Sequence, residues 1–268
     1  MASTLAFPQP VTPAPRLESF RPAETIDEVI DRLDAVIARA RRDQHRGGYF
    51  AVLYRNVTAR VKDGIRRGEF EDGARMERLD VVFANRYLEA LHQFRAGDSP
   101  SKCWQASFEA AGTWRPIVLQ HLLLGINAHI NLDLGVAAAA VCPRDALGGL
   151  RKDFDAINMV LCVMLDEVQD RLARVWPMMT LLDRIGCRTD EAVMNFAIMR
   201  SREVAWAVAT ALAPLEGEEA SRELARIDGR AALLARFIRC PGLTMSAAAL
   251  LVRATELRQV PKIIDVLG

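Results

Sequence analysis

The sequence predicts an all-α fold, a multi-helix bundle around one central buried helix at about residues 116–141. Three observations carry this expectation. From Thr25 onward apolar residues recur at helical spacing between Pro and Gly breaks. No run of alternating β-branched residues is long enough for a strand. The segment from Pro116 to Val141 is apolar on nearly every side, which in a soluble protein marks a helix surrounded by others. With 268 residues, 51% hydrophobic and 26% charged, the chain has material for a large core.

The N-terminal residues 1–23 carry prolines at 8, 10, 13, 15 and 22 and read as an extended, proline-rich tail. They lack the basic leader and sustained apolar run of a secretory signal. Residues 24–268 are expected to form a single helical domain. Thr25 stands as N-cap of a first helix whose apolar stripe is Ile26, Val29, Ile30, Leu33, Val36 and Ile37. Further helices are expected over Tyr49–Arg67, Ala74–Arg95 and Ser101–Gly112, each ended by Gly-rich or Asp-Ser-Pro text. Pro116 suits the first turn of the central helix, where its missing N–H is not needed, and Pro143 stops that helix. Beyond it helices are expected over Asp145–Trp176, Asp190–Leu212, Glu218–Arg239 and Ser246–Arg258, with a short terminal turn after Pro261.

The central helix carries two polar seams. At about 100° per residue, Gln120, Asn127 and Asn131 share one stripe, while His129 and Asp133 stack one turn apart on the other side, led toward by His121 and Gly125. Buried polar groups are costly unless bonded, so each seam must meet partners. The amide seam is expected to bond neighbouring helices. His129 with Asp133 has the spacing of an acid–base pair or of two ligands to a divalent metal, and equally of a bonded pair locking the core. Gly125 allows a helix or ligand to approach closely. On the preceding helix, Asp80, Asn85, Arg86 and Tyr87 interrupt apolar text and can face the seam, with Arg86 the natural countercharge of Asp133. A membrane span is disfavoured by the polar residues at mid-helix.

Other classes are narrowed by what is missing. The net charge of +1 gives no field for nucleic acid. There is no nucleotide or flavin motif, no GxSxG and no HExxH. Glu89 and His92 have di-iron ExxH spacing, but no second pair follows. Trp104, Trp114, Trp176 and Trp206 read as core anchors or pocket walls. Five scattered cysteines, Cys103, Cys142, Cys162, Cys187 and Cys240, read as reduced core thiols of a cytoplasmic protein. Nothing in the pattern fixes an oligomeric state.

Two function classes follow. One is a small-molecule enzyme with a helix-lined pocket and non-redox hydrolase or lyase/cyclase chemistry. There His129, Asp133, Arg86 and Tyr87 are catalytic, and Asp80, Asn85, His121 and Gly125 bind substrate. The other is a non-catalytic protein for a hydrophobic ligand or a protein partner, in which the same groups satisfy one another.

The blocks GYFAVLYRNVT, FEDGARMERLDVVFANRYLEAL and WRPIVLQHLLLGINAHINLDLG resemble an actinobacterial-type helical family of unknown function, over about residues 25–212. HINLDL is its most specific text. The resemblance implies a bacterial helical protein and brings no activity. Separately, DEVQD (166–170) and NFAIMRSRE (195–203) are similar to the magnesium motifs of class I terpene cyclases. Asn195 and Glu203 match, but Met199 stands where a hydroxyl is wanted.

Overall fold

A computed structural model describes residues 19–157, 171 and 203–268. Residues 1–18 of the expected tail, most of the two helices expected between 145 and 212, Trp176, Cys162, Cys187 and nearly all of the cyclase-like text lie outside the described residues.

The described residues form an all-α bundle. Helix α1, Ile26–Arg42, starts where Thr25 accepts a hydrogen bond from the Glu28 N–H and buries Ile26, Val29, Leu33 and Ile37 of the expected stripe, with Ile30 and Val36 half-buried at its edges. Helices α2 (Gly48–Arg66), α3 (Gly73–Ala96) and α4 (Lys102–Ala111) follow. Asp72 caps α3 through the Arg75 N–H, and Gly97 ends it in the left-handed conformation at φ 83°. Residues 19–23 are laid against this layer. Phe20 packs on the core, and Asn85 both accepts from the Ala23 N–H (2.7 Å) and donates to its carbonyl (2.9 Å).

The central rod spans Val118–Val141, but it is not the uniform α-helix expected from the sequence. Helix α5, Val118–Ala128, passes into a π-helical segment, His129–Leu134, before α6, Gly135–Val141. Leu122, Leu124, Leu132 and Leu134 are almost wholly buried along it. Each contributes about 1.5–3 kcal/mol of hydrophobic stabilisation. The rod is long and apolar enough to cross a bilayer, yet 72% of its most apolar window is packed inside the protein.

After Pro143 the chain makes a 3-10 helix, Arg144–Leu150, and the described residues 151–157 continue as α-helix. The helix expected from Asp145 therefore starts late. The adjacent Gly148 and Gly149 weaken an α-turn there. Helices α7 (Glu203–Leu212), α8 (Gly217–Arg239), α9 (Leu243–Thr255) and α10 (Val260–Leu267) complete the described bundle. The expected terminal turn is thus a full helix, with Pro261 in its first turn. Cys103 and Cys142 are buried thiols, whereas Cys240 is exposed, because it lies just past the end of α8 rather than on its packed face.

Three buried carboxylates tie elements together by the same device. Asp228 of α8 accepts from the Lys102 and Cys103 N–H groups at the start of α4 (2.8 and 3.0 Å). Glu256 accepts from the Val118 N–H at the start of α5 (2.9 Å). Asp153 accepts from the Glu71 and Asp72 N–H groups before α3 and from Arg75. Each places negative charge at otherwise unpartnered N–H donors at the start of a helix.

Candidate functional site

The amide seam does bond neighbouring helices. Gln120 Nε2 donates to the Ile238 carbonyl (2.7 Å), and Asn127 Nδ2 donates to the Ala231 carbonyl (2.8 Å). Asn131 Nδ2 donates to Asn127 Oδ1 (2.9 Å). The central rod is thereby fixed to α8.

The opposite seam lies in the π segment. Asp133 is 1% exposed and fully engaged: one oxygen accepts from Arg86 Nε at 2.7 Å and the other from Trp104 Nε1 at 2.7 Å. Arg86 is the countercharge its position on α3 suggested. His129 Nδ1 stands 3.7 Å from Asp133, too far for a hydrogen bond. The imidazole instead lies in an aromatic cage, stacked on Phe83 with centroids 3.6 Å apart and edge-on to Tyr54 and Phe50. Neither ring nitrogen has a partner. Burial lowers its pKa, outweighing the pull of Asp133, so His129 is a neutral ring.

Asp80 is buried on α3 with one carboxylate oxygen unpartnered. Burial, helped by Glu77, pushes its pKa up to about 8. The Tyr54 and Thr58 hydroxyls of α2 are likewise buried without a partner. The charge of Asp80 adds to the burial that raises the Tyr54 phenol. Asn85 spends its amide on Ala23, and Gly125 is the seat of Phe50, whose ring lies 2.4 Å from where a Cβ would stand. Of the eight residues singled out from sequence, the structure gathers Arg86, Asp133 and His129 into one nest walled by Tyr87 and Trp104.

His121 belongs to a different place, which Tyr87 also borders. A small void of about 20 Å³, room for roughly one water, is lined by Arg46, Phe50, Tyr87, Trp104 and His121. A cleft of about 190 Å³ shares Gly47, Tyr87 and Phe108 with it and opens past Arg39, His45, Leu91, Phe94 and Arg95. Arg39 pairs with Asp43 at 3.3 Å. Arg46 keeps a buried, unpartnered Nε. Burial, then repulsion from Arg39, lowers the pKa of Arg95. His121 is pushed down to about 3 by burial and then by Arg46, Arg253 and His45, and its Nε2 has no partner. His45 is lowered by burial and then by Arg95 and Arg46. Both imidazoles thus register one positive field.

Residues 26–241 match the profile of a family of unknown function designated DUF5995. The chain belongs to that family. No curated protein and no solved structure matches it. The DUF5995 match takes in the π segment, the aromatic cage and the cleft, and ends at the start of α9. Sequence reasoning missed Arg39, Arg46 and Arg95 of this DUF5995 chain, because Arg39 and Arg95 read as the ordinary charged ends of amphipathic helices and Arg46 as part of a loop. The available signal was RGG at Arg46–Gly48, a cation held in a tight turn between two helices. Among the described residues no group of three or more His, Cys, Asp or Glu gathers as a metal site. A wider groove of about 530 Å³ has Asn131 on its lining between α7 and α8 and holds none of the eight residues.

Proposed function

We propose that this domain binds a small amphipathic anion, a carboxylate or phosphate head on an apolar or aromatic body, in the cleft between α1, α2, α3 and α4. The observation that carries the reading is Arg46, whose buried Nε has no partner beside a chamber lined mainly by aromatic and apolar side chains. A guanidinium there favours a planar or tetrahedral anion. Arg95 at the mouth adds charge, while Tyr87, Leu91, Phe94 and Phe108 offer apolar wall. The neutral His121 ring at the inner end donates its one N–H to the Pro116 carbonyl, so its free Nε2 can accept a hydrogen bond from a hydroxyl or protonated oxygen of the ligand. Burial and the neighbouring cations push its pKa down to about 3, so the ring meets the ligand uncharged at neutral pH.

Titration calorimetry with octanoate and phenyl phosphate tests this, with octanol as the neutral control. Either anion should bind, octanol should not, and Arg46→Ala with Arg95→Ala should weaken binding by about tenfold or more, as expected for losing charge-assisted bonds. No heat with either anion, or unchanged affinity in the double variant, overturns the reading.

A catalytic reading is favoured by one observation, the two unpartnered nitrogens of His129 beside Asp133. In it His129 exchanges a proton, Asp133 orients it or shares a divalent metal, and Arg86 and Tyr87 assist. It requires the Phe83 ring to move aside. Unchanged turnover of a product-yielding substrate in His129→Ala would remove it.

A further inference from the structure

Helix α9, LTMSAAALLVRAT, has only one charged residue, Arg253, yet none of its described side chains is buried. Leu243 is 92% exposed and Leu251 73%, with Met245 and Leu250 also open. A helix apolar all round is ordinarily surrounded. The exposure continues across the turn onto α8, where Leu233 and Phe237, one helical turn apart, are exposed together with Leu234. Trp114 is also exposed, and its carbonyl accepts from Arg253 Nε at 2.8 Å, which places it beside α9.

The charge along the segment that builds this face is mostly of one sign. Residues 229–259 hold five arginines against one acid, Glu256, although the whole chain nets only +1. Glu256 is buried and spent on Arg253 and the Val118 N–H. Among the exposed residues of the segment, Arg230, Arg236, Arg239 and Arg258 therefore present cations without a neighbouring acid in the segment, Arg239 reaching Glu109 of α4 at 3.5 Å.

We propose that the face formed by α9, the outer side of α8 and Trp114 docks on an anionic lipid bilayer, lying in the interface without crossing it. A span needs about 20 apolar residues, and α9 has 13. Exposed leucines flanked by arginines and a tryptophan are the composition that sits at the boundary between headgroups and acyl chains. A protein partner or second copy would ordinarily balance these arginines with acids. An anionic headgroup layer balances them without a specific arrangement.

The test is flotation of the intact chain with phosphatidylcholine vesicles, with and without phosphatidylglycerol. The protein should float with the anionic vesicles about tenfold better than with the neutral ones and lose that advantage as salt rises. Leu250→Glu with Leu251→Glu changes only exposed side chains, so it should keep the wild-type circular dichroism and melting and cease to float. Arg230→Glu with Arg236→Glu should abolish the preference for anionic lipid. The proposal fails if the wild type does not float with anionic vesicles, or floats equally with both, or if the leucine variant floats like wild type. It fails equally if light scattering finds a dimer that the leucine variant turns into monomer, since the face then belongs to a second copy.

Discussion

Replacing Asp80 with Asn should make this protein more stable at high pH. The carboxyl titrates near 3.8 in a free chain and at about 8 in the fold, because burial disfavours its charged form and Glu77 adds repulsion. The sign follows from proton uptake. Between those two pH values the folded state holds a proton that the unfolded chain has released, so stability is fully present below about pH 4 and declines as pH rises through 8. At about 1.4 kcal/mol per pH step, the interval is worth roughly 6 kcal/mol at most. Asn has the same shape and no proton to lose. Urea unfolding at closely spaced pH values from 5 to about 9 should show wild-type stability falling toward alkaline pH, a much flatter profile for Asp80→Asn, and curves that converge near the acid end. If the two profiles run parallel, or the variant is the less stable at pH 9, Asp80 keeps a countercharge in the fold and the argument from its unpartnered oxygen is wrong.

Two further substitutions probe the central rod. Arg86→Ala strips Asp133 of its ion pair and leaves a buried charge held only by Trp104, which should cost about 3–5 kcal/mol in denaturant unfolding; a loss below about 1 kcal/mol would mean the pair is water-exposed in solution. Gly135→Ala and Gly125→Ala should both lower thermal stability. The Cβ at 135 would stand 2.6 Å from the Ala205 carbonyl oxygen, a backbone atom of the crossing helix, and at 125 it would stand 2.4 Å from Phe50 Cγ, which turning the buried ring does not move; an unchanged melting temperature in either variant would contradict that reasoning.

Much of the fold was legible because burial leaves a period in the text. The stripe of α1, the cap at Thr25 and the sealed character of the rod were readable from spacing alone. So were the bonding of the amide seam to other helices and the pairing of Arg86 with Asp133, since a buried amide or carboxylate has few ways to be satisfied. The cage around His129 was not readable. Phe50, Tyr54 and Phe83 come from two other helices, and which ring stacks on an imidazole depends on crossing geometry that periodicity does not carry. The arginines of the cleft were hidden for a related reason: a charged residue near a helix end looks the same whether it faces water or a chamber. The exposure of α9 ran against composition, since apolar text of that kind reads as core.

The π segment has a consequence for how one rod can serve two neighbourhoods. Within it, backbone bonding slips by one residue per turn relative to an α-helix. The side chains of α6 are therefore rotated by about 100° from where an unbroken α-helix would aim them. Helix α5 is thereby fitted to α2, α4 and α8 while α6 presents itself to α3, with the change of aim centred on HINLDL. A chain one residue shorter in this stretch could run as an unbroken α-helix and keep the aim of α6, whereas the same sequence forced into an unbroken α-helix would turn the alanines of α6 away from α3. The π segment is the way this fold carries one extra residue while both halves of the bundle still meet.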